Sequence, residues 1–199
     1  MSGWTRHEGR AARLPAENVD TDQLIPARFM ATPRDQGYGG YLLHDLRHDE
    51  AGVPRDHVLN RTPTPTVLIA GRNFGCGSSR EAAVYALVDY GIRAVLAPSF
   101  GDIFAANAAN NGLLAGVIDE PAAAALKTAA DGARAEIDLE ARRFRVGEVE
   151  GAFALDPIQQ KKLINGWDDI ALTEAWSAEI AAFRNAYAAR SPWAWPATD

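Results

Sequence analysis

Three short apolar runs constrain this chain more than any other feature: TVLIAG at 66–71, RAVLAPS at 93–99 and LLAGVI at 113–118. Runs of continuous hydrophobicity, rich in branched residues, are what a strand buried on both faces requires. Between the first two lies EAAVYALVDY (81–90), Ala-rich and Leu-bearing, stopped by Gly91 as a helix C-cap. Between the second and third lies FGDIFAANAANNG (100–112), a second helix closed by Asn-Asn-Gly. Strand, helix, strand, helix, strand predicts a parallel α/β layer joined by right-handed crossovers.

The flanks add to this core. Residues 1–17 are polar and read as an edge strand plus a loose tail. In NVDTDQLIPARFM (18–30) the Asn, Asp and Thr cluster reads as a turn, and Gln23 to Pro26 as a short extended run ended by proline. From Ala31 to Pro65 there is little period, so an exposed loop is expected, with YLLHDLRHD as a short helix. EPAAAALKTAA (120–130) predicts a helix with proline in its first turn, and 133–155 alternates like antiparallel strands. Residues 157–166 predict a short helix, 170–190 a long amphipathic one, and SPWAWPATD a packed or partner-contacting tail. With no repeat or linker, the reading is one compact domain over 1–199, its core at about 18–173.

A net charge of -6 and only short basic stretches argue against nucleic acid or an anionic membrane as the main partner. No stretch approaches the roughly 18 to 20 apolar residues of a membrane span, and no signal sequence is evident, so a cytoplasmic protein is expected. The single cysteine, Cys76, rules out an intrachain disulfide and any site built from several thiolates. His44 and His48 are four apart, but the neighbouring Gly40 and Gly52 favour a solvated loop over a metal site.

The loop between the first strand and helix, GRNFGCGSSRE (71–81), carries the chemistry. It leaves the carboxyl end of a buried strand, where α/β sheets bind ligands. Gly75 and Gly77 let a ligand approach the main chain, Ser78 or Ser79 stands at or near the helix N-cap, and Arg80 offers a forked donor for a carboxylate. Free amides and the positive end of the helix dipole complete an anion pocket. The plainer alternative is a shaped turn, a serine cap and a surface ion pair. The loop lacks the GxGxxG, Gly-Lys-Ser/Thr and GxSxG patterns.

Taken together, NVDTDQLIP, GRNFGCGSSRE, LAPSFGDIFAANAANNGLL and LINGWDDIALT resemble the small subunits of 3-isopropylmalate dehydratase, the leucine-pathway branch of the aconitase superfamily. The resemblance runs from about Asn18 to Thr173. It implies a swivelling domain of layered β/β/α architecture that closes over an active site, with the 4Fe-4S cluster carried by a separate large subunit. It implies a hydro-lyase moving a hydroxyl between neighbouring carbons of a hydroxy diacid through an alkene. It implies Ser78 as the catalytic base, Ser79 and Arg80 as carboxylate ligands, and Asp22 at the site, orienting a neighbour or touching substrate. Arg28 and Arg34 are candidates for a second carboxylate contact.

The chain departs from the family where many members have HAPWAL: it reads AAVYAL, with Ala82, Val84 and Tyr85. Either the helix is repacked or the substrate side chain differs, as in a methylmalate or homoaconitate-type acid. The loop Met30 to Gly40 is expected to read that side chain, with Met30, Tyr38 and Tyr41 as apolar neighbours. A non-catalytic carboxylate-binding module remains the alternative from another class. Loops of this kind, uncovered until the large subunit arrives, also suggest self-association of the isolated chain.

Overall fold

The computed structural model describes residues 2–128 and 131–195. In chain order the elements are β1 (Arg6–Leu14), α1 (Thr21–Leu24), α2 (His44–Arg47), β2 (Val67–Ala70), α3 (Glu81–Tyr90), β3 (Ala94–Ala97), α4 (Asp102–Asn110) and β4 (Leu114–Val117). They continue with α5 (Glu120–Thr128), β5 (Arg134–Asp138), β6 (Arg143–Val146), β7 (Val149–Ala152), α6 (Pro157–Asn165), α7 (Asp169–Glu174) and α8 (Ser177–Arg190).

The strands form one sheet in the order β4-β3-β2-β1-β5-β6-β7. β1 to β4 are parallel and β5 to β7 antiparallel. β1 joins the halves: Ala11 to Leu14 pair with Val67 to Ala70, and Arg6 to Arg10 pair with Arg134 to Asp138. It is therefore the central strand and not an edge strand. Its polar first half misleads because every second residue there faces solvent, while the second half, with Ala11, Ala12 and Leu14, enters the core.

The sheet is layered by side-chain alternation. Val67, Ile69, Ala94, Leu96 and Leu114 pack in one cluster with Ala135, Ile137, Phe144, Val146 and Phe153 of the antiparallel half. Leu68, Ala70, Val95, Ala97 and Ala115 point the other way, onto Ala83, Val84 and Leu87 of α3 and Phe104 and Ala108 of α4. The antiparallel half of the sheet packs against one face of the parallel half and helices cover the other, giving three layers. Because both faces of β2 and β3 are covered, their sequences show no polar alternation.

Two other expectations change. Gln23 to Leu24 is helical, because Asp20 accepts from the Gln23 N–H while the Gln23 side chain accepts from the Asp20 N–H, a full capping box. The long C-terminal helix is two helices, α7 and α8, broken at Ala175 and Trp176. Within the tail, Pro192–Ala194 forms a 3-10 turn, and residues 196–199 lie outside the described ones. The 27–61 excursion is mostly turns, with α2 as its short helix. Buried Arg47 ties it down, donating to Asn60 Oδ1 (2.9 Å) and the Leu42 carbonyl (3.0 Å) beneath the Tyr90 ring. No helix among the described residues is long and apolar enough to cross a membrane.

Candidate active site

Past their last paired residues, β1, β2 and β3 stay together. The Asn18 N–H donates to the Arg72 carbonyl (2.8 Å), Gly75 N–H to Val19 (2.7 Å) and Thr21 N–H to Cys76 (2.9 Å), so NVDT runs alongside the glycine-rich loop. On the loop's other side the Phe74 N–H donates to Ser99 (3.1 Å) and Gly101 N–H to Phe74 (3.0 Å). Three separate sequence motifs are thus knitted at the carboxyl ends of the parallel strands, the expected ligand edge of such a sheet. Gly75 and Gly77 have φ of 73° and 92°. A Cβ on Gly75 would also lie 2.2 Å from the Phe104 ring, so glycine is required there twice over.

The loop delivers Ser78 and Ser79 to solvent. Neither caps α3: the N-cap is Arg80, and no side chain caps that helix. Of its first-turn amides, Ala83 N–H donates to the Arg80 carbonyl (3.1 Å), and no side chain caps those of Glu81 and Ala82; the dipole adds positive potential beside the serines. α4 likewise starts without a side-chain cap, at Gly101, in contact with the same loop. Arg80 is largely buried and forms an ion pair through Nη1 with the exposed carboxylate of Asp22. Asp22, Ser78, Ser79 and Arg80 are therefore brought together, with Asp22 holding the arginine.

Sequence reasoning passed over Thr21. It is 2% exposed, and its hydroxyl donates to the Ser78 carbonyl at 2.9 Å, joining α1 to the serine loop. A legible signal existed: the Asp20 to Gln23 capping box fixes which way Thr21 faces.

The two arginines expected to reach a second carboxylate are engaged elsewhere. Arg28 puts both terminal nitrogens on Asp45, holding that carboxyl below its usual range. Arg34 puts both on Asp89, at 2.5 and 2.8 Å. Of the apolar neighbours expected in the recognition loop, Met30 is exposed, Tyr41 stacks on Phe29 at 4.3 Å, and Tyr38 is core rather than surface. At the departures from HAPWAL, Val84 is fully buried, Ala82 packs on the core, and Tyr85 lies under Arg34. His44 and His48 stack at 4.6 Å, yet no group of three or more metal-ligating side chains occurs among the described residues.

Comparison with known proteins identifies the family. The profile of the aconitase C-terminal domain matches residues 1–121. A 3-isopropylmalate dehydratase small subunit from Rhodospirillum centenum is 47% identical over 98% of this chain and 99% of its own. The chain belongs to the 3-isopropylmalate dehydratase small-subunit family. Another member, from Oceanobacillus iheyensis, is 42% identical over 90% of this chain and 96% of its own. Among solved structures, 3-isopropylmalate dehydratase from Methanocaldococcus jannaschii superposes with a TM-score of 0.69 at 28% identity, covering 89% of this chain and 99% of that one. The family's α/β fold, with parallel and antiparallel strands in one sheet, is the one described above.

Proposed function

We propose that this chain is the small subunit of a hydro-lyase that interconverts 2-isopropylmalate and 3-isopropylmalate by dehydration and rehydration, acting with a large subunit in a cytoplasmic leucine pathway. The observation that carries the reading is Ser78, exposed at the uncapped start of α3 with Arg80 beside it. A base is needed for a carbon-bound proton, and a serine hydroxyl is a poor one in water. In this proposal the free α3 amides and the Arg80 guanidinium stabilise the negative oxygen as it develops. Ser79 and Arg80 take a substrate carboxylate, and Asp22 aims Arg80.

Exposure explains the need for a partner. Donors of this kind act strongly only where water is excluded, and this chain leaves both serines open. The donor set also fails to fit a 4Fe-4S cluster, because one thiolate cannot hold it. The large subunit would therefore hold the cluster, which would supply Lewis acidity toward the substrate, and would provide the cover.

Met30 to Gly40 reads the substrate side chain in this proposal. Mixing the chain with a reconstituted large subunit and following alkene formation from 3-isopropylmalate, beside methylmalate analogues, tests it. Turnover of 3-isopropylmalate only in the mixture, abolished by Ser78→Ala without loss of subunit co-elution, is the expected result. Equal activity of Ser78→Ala would leave only a carboxylate-binding module.

A further inference from the structure

The last turn of α3 carries an acid, Asp89, at the end of a helix where the dipole disfavours negative charge. Among the described residues, every hydrogen bond its side-chain carboxylate accepts comes from the segment that follows α1. Arg34 gives it two parallel N–H donors, at 2.5 and 2.8 Å, and the Tyr38 N–H a third at 2.7 Å. The Arg34 guanidinium also lies 4.3 Å from the centre of the Tyr85 ring and 5.6 Å from that of Tyr38. Tyr38 passes the constraint on, its hydroxyl donating to the Thr32 carbonyl at 2.8 Å. Thr32 lies two residues beyond exposed Met30, and the same segment begins at α1, whose Asp22 holds Arg80.

At 1.5 Å per residue, Asp89 lies roughly 12 Å along α3 from Glu81, the residue next to Arg80. Arg34 is thus held at the far end of the helix from the serines. Arg34 is 46% exposed, but its bidentate, stacked contact with a carboxylate only 18% exposed is more constrained than a singly bonded surface pair.

We propose that Arg34 and Asp89 form a latch that fixes the 28–41 segment on α3, so that Met30 to Thr32 present a defined surface to the substrate side chain. Arg34 is a positioning residue, and Tyr85, where the chain departs from its family's usual tryptophan, is the plate on which it rests. The inference rests on the proposal that this segment reads the substrate, and the test separates the two.

Amide hydrogen exchange on the isolated full chain reads the latch without catalysis. Arg34→Gln and Asp89→Asn are each expected to speed exchange across 28–41 by about tenfold, while 81–87 is unchanged. In the assembled enzyme each raises KM by about tenfold with kcat within about twofold, and the double variant is no worse than either single one. Arg34→Lys, which keeps the charge but not the fork, recovers part of the loss. Unchanged exchange in both single variants overturns the latch. So does a KM raised by Arg34→Gln but not by Asp89→Asn, since Arg34 would then touch the substrate itself. If exchange accelerates with KM unmoved, the link to recognition falls. If the wild-type mixture turns over none of the acids, the proposed reaction fails while exchange still decides the latch.

Discussion

Asp22 and Thr21 are adjacent in sequence and serve the same loop, yet physics predicts unequal stability effects for them. The Asp22–Arg80 pair has an exposed acid, and such pairs contribute little to folding. Asp22→Asn should change unfolding free energy by less than about 0.5 kcal/mol, while turnover with the large subunit falls about tenfold or more because Arg80 loses its orientation. The Thr21 hydroxyl is buried and bonded to the Ser78 carbonyl, so Thr21→Val should cost about 1 kcal/mol in a urea titration and lower turnover as well. A stability loss for Asp22→Asn as large as for Thr21→Val would mean the ion pair holds the fold rather than the site. The candidate site residues were legible together at this scale, because Ser78, Ser79 and Arg80 stand in one short motif. Which acid each arginine meets was not: Asp22 is 58 residues from Arg80 and Asp89 is 55 from Arg34, and only tertiary folding brings them together.

Among elements, the loop between β2 and α3 depends most on single atoms. Placing a methyl group on Gly75 sets it 2.2 Å from Phe104, a ring 3% exposed that also packs edge-on against Phe74. The left-handed backbone adds about 1–2 kcal/mol to the overpacking cost of about 1–3 kcal/mol. Gly75→Ala should therefore lose about 2–5 kcal/mol in denaturant titration. Gly40→Ala is the control: nothing lies within 4 Å of its Cβ position, and a change under about 0.5 kcal/mol is expected. The elements that were legible, β2 through β4 with α3 and α4, are those buried on both sides or ended by Gly91 and Asn-Asn-Gly, where local chemistry and packing agree. α1 was not, because a four-residue helix has no period to detect, and the apolar Leu-Ile-Pro that ends it resembles a strand. The break between α7 and α8 falls at Ala175 and Trp176, neither of which is a helix breaker. β1 was misplaced because its position in the sheet is set by β5, some 120 residues later.

At the scale of the whole molecule, two histidines, His7 in β1 and His57 in the 27–61 excursion, make stability depend on pH. Burial and then Arg93 hold the His7 imidazole below its ordinary pKa of 6.5. Burial, Arg47 and Arg61 do the same for His57, whose Nδ1 accepts the Leu59 N–H at 3.2 Å and so needs its lone pair free. Both groups are half-buried and neutral in the fold but protonate near 6.5 once unfolded. Between 6.5 and each lower folded value the unfolded chain binds more protons, so stability falls as pH falls through that window and is flat above it. Acidic groups do not obscure the effect, since Asp169, lowered by Lys162 and Asn110, and Asp45, lowered by Arg28, release their stabilisation only below about pH 4. Urea midpoints measured from pH 7.5 to 5 should decline below about pH 6.5, and His7→Gln with His57→Gln should flatten that decline. A midpoint that rises on acidification would require a histidine stabilised by charge in the fold, contrary to the arginines that face both rings.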